Sequence, residues 1–415
     1  MPRLTPFPAF RYVSDPAEAV IAPPYDVLSV EQADGFRERH PHNIAWLDVP
    51  TGEDRYRRAG LLFREWIETG VLVADRSPSL SIYRLQFTDS TGQRRSIAGV
   101  MGGLEVVDDN PSNPKRRSSD GAGHTSTVLP HERTTPKAST DRLDLTRATR
   151  ANLSPVWGLS LATGLTGLLT EPAELLADVT DDFEGISVRH VIERITDPDR
   201  IAAICALIGT DDVLIADGHH RYGVARTYRD EIRTATGRRD TPAEDTLAFV
   251  SELVADQLSV AAIHRLYSGR SFAEIRTALE RFFELRPIDR PDTGTLARME
   301  ADGFLVLVGP EQAWALTPRP GAFEGLRTLD GVWLETALAD LGVGVEYQHG
   351  VAEVLAAVES GTASAGVLIR PVSVAEIERT AREGVLMPPK STFFTPKLKT
   401  GFVIRPLFAE GSLDH

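Results

Sequence analysis

Cysteine is nearly absent from this chain. Its 415 residues include one, Cys205, so no disulfide can form within the chain and a zinc site built on thiolates is excluded. Cys205 shares helical spacing with Ile201, Ile204 and Ile208, which places it on the buried face of a helix as a packing residue rather than a nucleophile. Long apolar runs are lacking too. The longest uninterrupted one, Ile201–Ile208, falls far short of the roughly 18 to 20 residues that span a bilayer, and no membrane partner is expected. The opening residues MPRLTPFPAF are broken by prolines and hold no continuous apolar segment of the kind a signal peptide needs; a cytoplasmic location is the expectation. Positive charge is in deficit, with 45 Lys plus Arg against 59 Asp plus Glu and a formal net charge of −14. That balance argues against a nucleic-acid partner, since duplex binders draw their affinity from Lys and Arg on phosphates. Two catalytic signatures are also missing. Without G-x-x-x-x-G-K-[ST] the chain is not an ordinary P-loop kinase, and without G-x-S-x-G it carries no serine-hydrolase elbow.

What is present is ordinary for a folded protein: 42% hydrophobic and 25% charged residues, in a length that suits two or three domains. Residues 53–69 set Tyr56, Ala59, Phe63, Trp66 and Ile67 on one helical face, with Gly70 placed to end the helix. Residues 79–88 alternate, and a D-S-T-G-Q turn leads into SIAGVMGGLEVV, which predicts a β-hairpin. Residues 108–127 are rich in Asp, Asn, Ser, Pro and Gly, the composition of a mobile loop. A helix over 140–152, a strand at PVWGLSLA, a polar helix near 171–178 and a strand at ISVRHVIERI are expected next. The Ile201 helix and the short strand DVLIA follow, then a helix from about Tyr222 to Thr234 and a strand at LAFVSELV. In LSVAAIHRLY, His264 and Arg265 read as a strand-end pair with a core role. From 271 the alternation of helices and strands restarts, with capping-box pairs Ser271/Glu274 and Ser373/Glu376. The expected fold class is mixed α/β, with a first region over 1–265 and a smaller C-terminal α/β domain over 266–415.

Four motifs can carry chemistry. In V-L-I-A-D-G-H-H-R-Y (213–222) a strand delivers Asp217 to its carboxyl end, Gly218 permits a tight turn, and His219, His220 and Arg221 begin a helix. Free N–H groups and the positive end of the helix dipole attract an anion there, and Arg221 can bind two of its oxygens. Asp217 can take a proton from an attacking hydroxyl or hold magnesium through water. The competing reading makes Asp217 a helix cap and the histidines packing or solvent-facing residues. A metal site on the adjacent histidines would need a ligand from elsewhere. In L-P-H-E-R-T-T-P-K (129–137), followed by Asp141 and Arg142, His131, Glu132 and Arg133 offer a general base in Glu132 and an anion clamp in Arg133, against a surface loop with an internal ion pair. In M-P-P-K-S-T-F-F-T-P-K-L-K (387–399), Lys390, Ser391, Thr392 and Lys397 lie in a stretch without acidic residues, a strip suited to phosphate or an acidic substrate; the alternative is a C-terminal arm buried through Phe393 and Phe394. In A-P-P-Y-D (22–26) two prolines fix the directions of Tyr25 and Asp26, for a substrate loop or a structural turn.

Taken together, A-P-P-Y-D-V, L-P-H-E-R-T, D-R-L, A-N-L-S-P, I-A-D-G-H-H-R-Y and M-P-P-K-S-T-F-F-T-P-K-L with the following G-F-V resemble domain of unknown function family 1015 from Ala22 to Val403. The family name implies no activity. D-G-H-H-R-Y also resembles, more distantly, the phosphate loop of the ParB/sulfiredoxin-like superfamily, which includes sulfiredoxins with G-G-C-H-R-Y and free serine kinases with a D-G-H-type loop. That resemblance implies a ParB/sulfiredoxin-like first region in which His220 and Arg221 hold nucleotide phosphates. It places His219 at the sulfiredoxin nucleophile, which excludes sulfinic acid repair, and Asp217 at an acidic position near the reacting phosphate.

The expectation is a phosphotransferase that moves phosphate from a nucleotide, ATP or ADP with Mg2+, to a small-molecule hydroxyl substrate, free serine first among them. In this reading Asp217 or Glu132 accepts the proton and Arg133, Lys390 or Lys397 neutralises developing charge. The alternatives are a nucleotide-binding regulatory protein without turnover and a metal-assisted phosphoester hydrolase using Asp217, His219 and His220. The sequence specifies no oligomeric state.

Overall fold

Alternating apolar residues build the central sheet, and its strands explain where the motifs fall. The computed structural model describes residues 1–89, 92–108, 127–130, 139–183, 185–292, 294–383, 387 and 390–408. Most of the expected 108–127 loop lies outside the described residues, as do His131, Glu132 and Arg133. The chain is mixed α/β and divides into two compact units. One comprises Met1–Leu258, Thr380–Val385 and Pro396–His415; the other comprises Ser259–Arg379 and Leu386–Thr395. The sequence reading kept 266–415 together, whereas the chain from Pro396 is counted with the first unit because its apolar side chains, among them Leu398, Val403 and Ile404, are buried there.

The first unit holds a nine-stranded sheet. Its strands run in the order Val128–Pro130, Val213–Asp217, Val156–Ser160, Asp245–Glu252, Arg94–Glu105, Leu80–Thr88, Ile186–Ile195 and Glu174–Phe183, with Leu4–Thr5 beside Arg94–Glu105. The expected hairpin is present as the antiparallel pair Leu80–Thr88 and Arg94–Glu105. Val213–Asp217 sits between a parallel neighbour, Val128–Pro130, and an antiparallel one, Val156–Ser160. Strands buried on both faces read as continuous apolar runs, as V-L-I-A does here. The Pro198–Ile208 helix covers this sheet with Ile204 and Ile208, and Cys205 packs at the edge of the same core. Burial pushes the Cys205 thiol up, away from a reactive thiolate. A second core of this unit forms around Phe10, Phe36, Phe63 and Trp66, the last two from the Arg55–Glu68 helix.

One expected element differs. The polar segment near 171–178 is not a helix; Glu174–Phe183 is an edge strand paired antiparallel with Ile186–Ile195. Glu174 pairs with Arg194 and Asp178 with Arg189, so its charges are answered across strands rather than along a helix.

The second unit carries a six-stranded antiparallel sheet in the order Phe283–Ile288, Ala313–Pro318, Leu305–Val308, Ala365–Leu368, His264–Ser268 and Gly344–Gln348. The capping box at Ser271 and Glu274 is complete, and Ser373 accepts from the Glu376 N–H. His264 and Arg265 are buried at the start of their strand. Among the described residues no helix is long and apolar enough to cross a membrane.

Candidate functional site

The apolar strand Val213–Asp217 ends in a register shift against Val156–Ser160, where Asp217 stands opposite Trp157. A bulge of this kind re-aims the side chain that follows it. Gly218 then adopts φ +86°, and the His219–Thr236 helix begins. A Cβ on Gly218 would lie 3.1 Å from the Arg221 Cζ and 3.3 Å from the Val156 Cα, so glycine is needed here both for the dihedral and for the close approach. The residue flanking the helix is Gly218 and no side chain caps it. The Asp217 carboxylate turns elsewhere.

It is held between two cations. Its Oδ2 pairs with Arg221 Nη2 at 2.5 Å and its Oδ1 pairs with Lys397 Nζ. Burial alone would raise the Asp217 pKa, but Lys397 and Arg221 outweigh it and hold the acid well below the usual carboxylate range, with His219 adding to the effect. Arg221 Nη1 donates to the Pro155 carbonyl, and Nη2 lies 3.6 Å from Asp26 Oδ2. Burial opposes the Arg221 charge, yet Asp26 and Asp217 prevail and push its pKa up.

Behind this pair lies a second layer. Arg142 donates through Nη1 to the Asp48 carbonyl at 2.6 Å and to Asp48 Oδ1 at 3.3 Å, and its guanidinium sits 4.0 Å over the Tyr25 ring. Ser154 Oγ donates to Asp48 Oδ2 at 3.1 Å and exchanges a hydrogen bond with Thr400 Oγ1 at 2.9 Å. Burial raises the Asp48 pKa, against Arg142. Burial likewise pushes Tyr25 up to about 12, against Arg221. A cavity of about 50 Å3 remains among Tyr25, Asp48, Arg142, Ser154 and Arg221.

The fold therefore brings together Tyr25, Asp26, Asp217, Gly218, Arg221 and Lys397 from three of the sequence motifs, with His219 and His220 at the first turn of the helix. The fourth motif, with His131, Glu132 and Arg133, lies outside the described residues. Lys390, Ser391 and Thr392 belong to the second unit, where the Lys390 carbonyl accepts from Arg265 Nη2 and Lys390 takes φ +58°. Asp48, Ser154 and Thr400 were not singled out. Ser154 and Arg142 lie in segments that carried the family resemblance, while Asp48 had no motif beyond an acid set in the apolar stretch I-A-W-L-D-V.

The described residues also hold a group with metal-ligand spacing, Asp15, His40 and His42. His42 Nδ1 already bonds Asp15 Oδ2 at 2.7 Å, and His40 Nδ1 accepts the His42 N–H, which leaves the ring proton of neutral His40 on Nε2. This trio satisfies itself. Around Arg221 the donors are Asp26, Asp48 and Asp217, hard oxygen ligands of the kind Mg2+ takes.

A family model described as protein of unknown function (DUF1015) matches residues 4–332. No curated protein matches the chain. Solved structures with some similarity to the chain include a conserved hypothetical protein from Pyrococcus furiosus, with 14% identity and TM-score 0.37 over 68% of this chain and 94% of that one. A free serine kinase in complex with AMP shows 13% identity and TM-score 0.36 over 66% and 88%. SbnI with a C-terminal truncation, from Staphylococcus aureus, shows 12% identity and TM-score 0.36 over 68% and 84%.

Proposed function

The chain belongs to the DUF1015 family, and we propose that it is a phosphotransferase that moves a phosphate from ATP or ADP to a small hydroxyl substrate, with free serine the first acceptor to test. The observation that carries this reading is the Asp217 carboxylate bracketed by Arg221 and Lys397 at the junction of a strand and a helix N-terminus. Three cations, Arg142, Arg221 and Lys397, stand among three carboxylates, Asp26, Asp48 and Asp217. A bare anion would have to displace Asp217 from its partners. A nucleotide with Mg2+ brings both signs of charge at once: its phosphates replace carboxylate at Arg221 and Lys397, and Asp217 with Asp26 can hold the metal. Mg2+ would supply charge neutralisation across the phosphates. In the transfer the acceptor oxygen forms a bond to phosphorus, the bond to the nucleotide's leaving oxygen breaks, and the hydroxyl proton passes to Asp217 or to Glu132. Arg221 and Lys397 stabilise the charge on the transferred group.

The test is incubation of the full chain with ATP or ADP, Mg2+ and serine, read by phosphorus NMR for phosphoserine. Product that disappears in Asp217→Asn or in Glu132→Gln while Mg2+-dependent nucleotide binding is retained identifies the proton acceptor; loss of that binding in Asp217→Asn marks Asp217 as a metal ligand. Nucleotide is expected to bind at least about tenfold more weakly when Mg2+ is chelated, because the phosphates then face carboxylates without compensation. If nucleotide binds equally well without the metal, the exchange of ion pairs is wrong. If nucleotide binds and no small hydroxyl acceptor is phosphorylated, the protein is a nucleotide-binding regulator instead. Hydrolysis of phosphoserine without nucleotide, abolished by a chelator, would mark a phosphoester hydrolase.

A further inference from the structure

A second cavity of the first unit takes no part in the Asp217 cluster. It measures about 670 Å3, and Tyr25, Asp26, Asp217, Arg221 and Lys397 are not among its lining residues. That volume falls within the range of small-molecule sites. Three arginines line it, Arg11, Arg76 and Arg194, against the acids Asp15 and Asp75. Asp75 is already shared. Arg11 Nε reaches both its oxygens at 3.0 and 3.1 Å, and Arg194 Nη1 reaches Oδ1 at 3.1 Å. Asp15 is engaged by His42. Arg76 is exposed and makes no ion pair among the described residues. Arg194 is likewise taken up by Glu174, which accepts from its Nε and Nη2. That leaves Arg76 as the uncommitted charge on this wall, and a cavity focuses its field.

Arg11 is 8% exposed, and its Nη2 donates to Ser81 Oγ at 2.8 Å, so its charge is committed within the wall. Much of the remaining wall is apolar. Val13, Val73, Leu175 and Leu176 are among the exposed large hydrophobic side chains of the described residues, with Leu175 60% exposed, and all four line this one cavity. An uncommitted arginine at one part of a cavity and an uncovered apolar wall at another are the two halves of an amphiphilic site.

We propose that this cavity binds an organic anion, with a carboxylate or phosphate head held by Arg76 and an apolar body laid on Val13, Leu175 and Leu176. The inference is independent of the phosphotransfer reading, because it concerns other residues of the unit. Titration calorimetry of the full chain with decanoate and, separately, nonyl phosphate, which carry apolar tails of equal length, tests it, and the tighter of the two identifies the head group. Saturable binding of either probe at one site is expected, weakened at least about tenfold in Arg76→Glu and in Leu175→Asp, since a charged hydrogen bond or an apolar contact is lost in each. Both side chains are exposed, so circular dichroism should match the unaltered protein and fold loss cannot explain the result. No saturable binding of either probe at millimolar concentration, or binding unchanged in both variants, overturns the proposal.

Discussion

Asp217 shows how a residue's role depends on partners far from it in sequence. The motif D-G-H-H-R made Asp217 and Arg221 legible, because a strand end, a glycine and a helix start are contiguous. Lys397 was legible only as part of a basic strip, and Asp48 not at all, since its meaning comes from Arg142 and Ser154. The pair with Lys397 has a measurable consequence. Asp217 and Lys397 keep only 19% and 13% of their side-chain surfaces exposed, and removing Lys397 leaves the carboxylate with one cation, Arg221, where it had two. Lys397→Met is expected to cost roughly 1 to 3 kcal/mol in urea unfolding at pH 7, less than a fully stranded buried charge costs. Adding Asp217→Asn to Lys397→Met should recover part of that loss, so the double-mutant cycle gives a favourable coupling between the two. The sign with pH follows from the depressed Asp217 pKa. Its stabilisation is fully present above the unfolded carboxylate value of roughly 3.9 and is lost as pH falls toward the folded value. The deficit of the Lys397 variant should therefore hold constant from neutral pH to about 4 and shrink only below it. A deficit that is the same at every pH, or a cycle with no coupling, would show that Lys397 acts only by packing.

At the scale of elements, strands were easiest to read where a pattern is internal and hardest where a neighbour supplies it. Leu80–Thr88 alternates along its own length, and the Arg55–Glu68 helix shows its buried stripe directly. Glu174–Phe183 looks helical by composition because its partners, Arg189 and Arg194, sit on the next strand. Gly344–Gln348 is a largely exposed edge strand without an apolar signal. The glycines of S-I-A-G-V-M-G-G are a further case. Glycine weakens a strand in isolation, yet Gly99 lies beneath Phe249 of the neighbouring strand. A Cβ there would fall 2.4 Å from the Phe249 Cε2 and 2.8 Å from the Val250 carbonyl oxygen. The ring itself packs edge-on against Tyr83 and Trp157, so it cannot yield cheaply. Gly99→Ala is expected to destabilise the first unit by about 1 to 3 kcal/mol, the cost of overpacking. Phe249→Leu, harmful alone, should cost less on the Gly99→Ala background than on the natural one, as thermal melts of the four proteins would show. Equal melting of Gly99→Ala and the unaltered chain would mean that the sheet relaxes around the methyl group.

For the whole molecule, the decisive fact is where the chain goes after Thr395. Pro396 onward is part of the first unit, and its backbone is woven into elements from the other end of the sequence. Thr400 and Ala22 exchange N–H to carbonyl bonds at 2.8 and 3.2 Å, Phe10 and Ile404 do the same at 2.9 and 3.1 Å, and Arg405–Pro406 pairs with Ala151–Asn152. Lys399 pairs with Asp181, and Lys397 supplies one of the two cations on Asp217. No composition or periodicity in residues 396–408 announces such a return; it depends on contacts across almost the full length of the chain. Contacts of this separation form late and slowly, so the first unit cannot complete its core until the arm arrives. Leu398, Val403, Ile404 and Leu407 are all buried, and each fully buried side chain of this size contributes about 1.5 to 3 kcal/mol. Their combined loss approaches the 5 to 15 kcal/mol that ordinarily separates a folded domain from its unfolded state. Ending the chain after Thr395 is therefore expected to abolish the cooperative melt of the first unit and to open it to limited proteolysis. Ile404→Ala, which keeps the arm and deletes one fully buried side chain, should retain the fold at a cost of about 2 to 5 kcal/mol. A shortened chain that melts as sharply as the unshortened one would show that the arm only decorates the unit, and Lys397 would then lose its place beside Asp217.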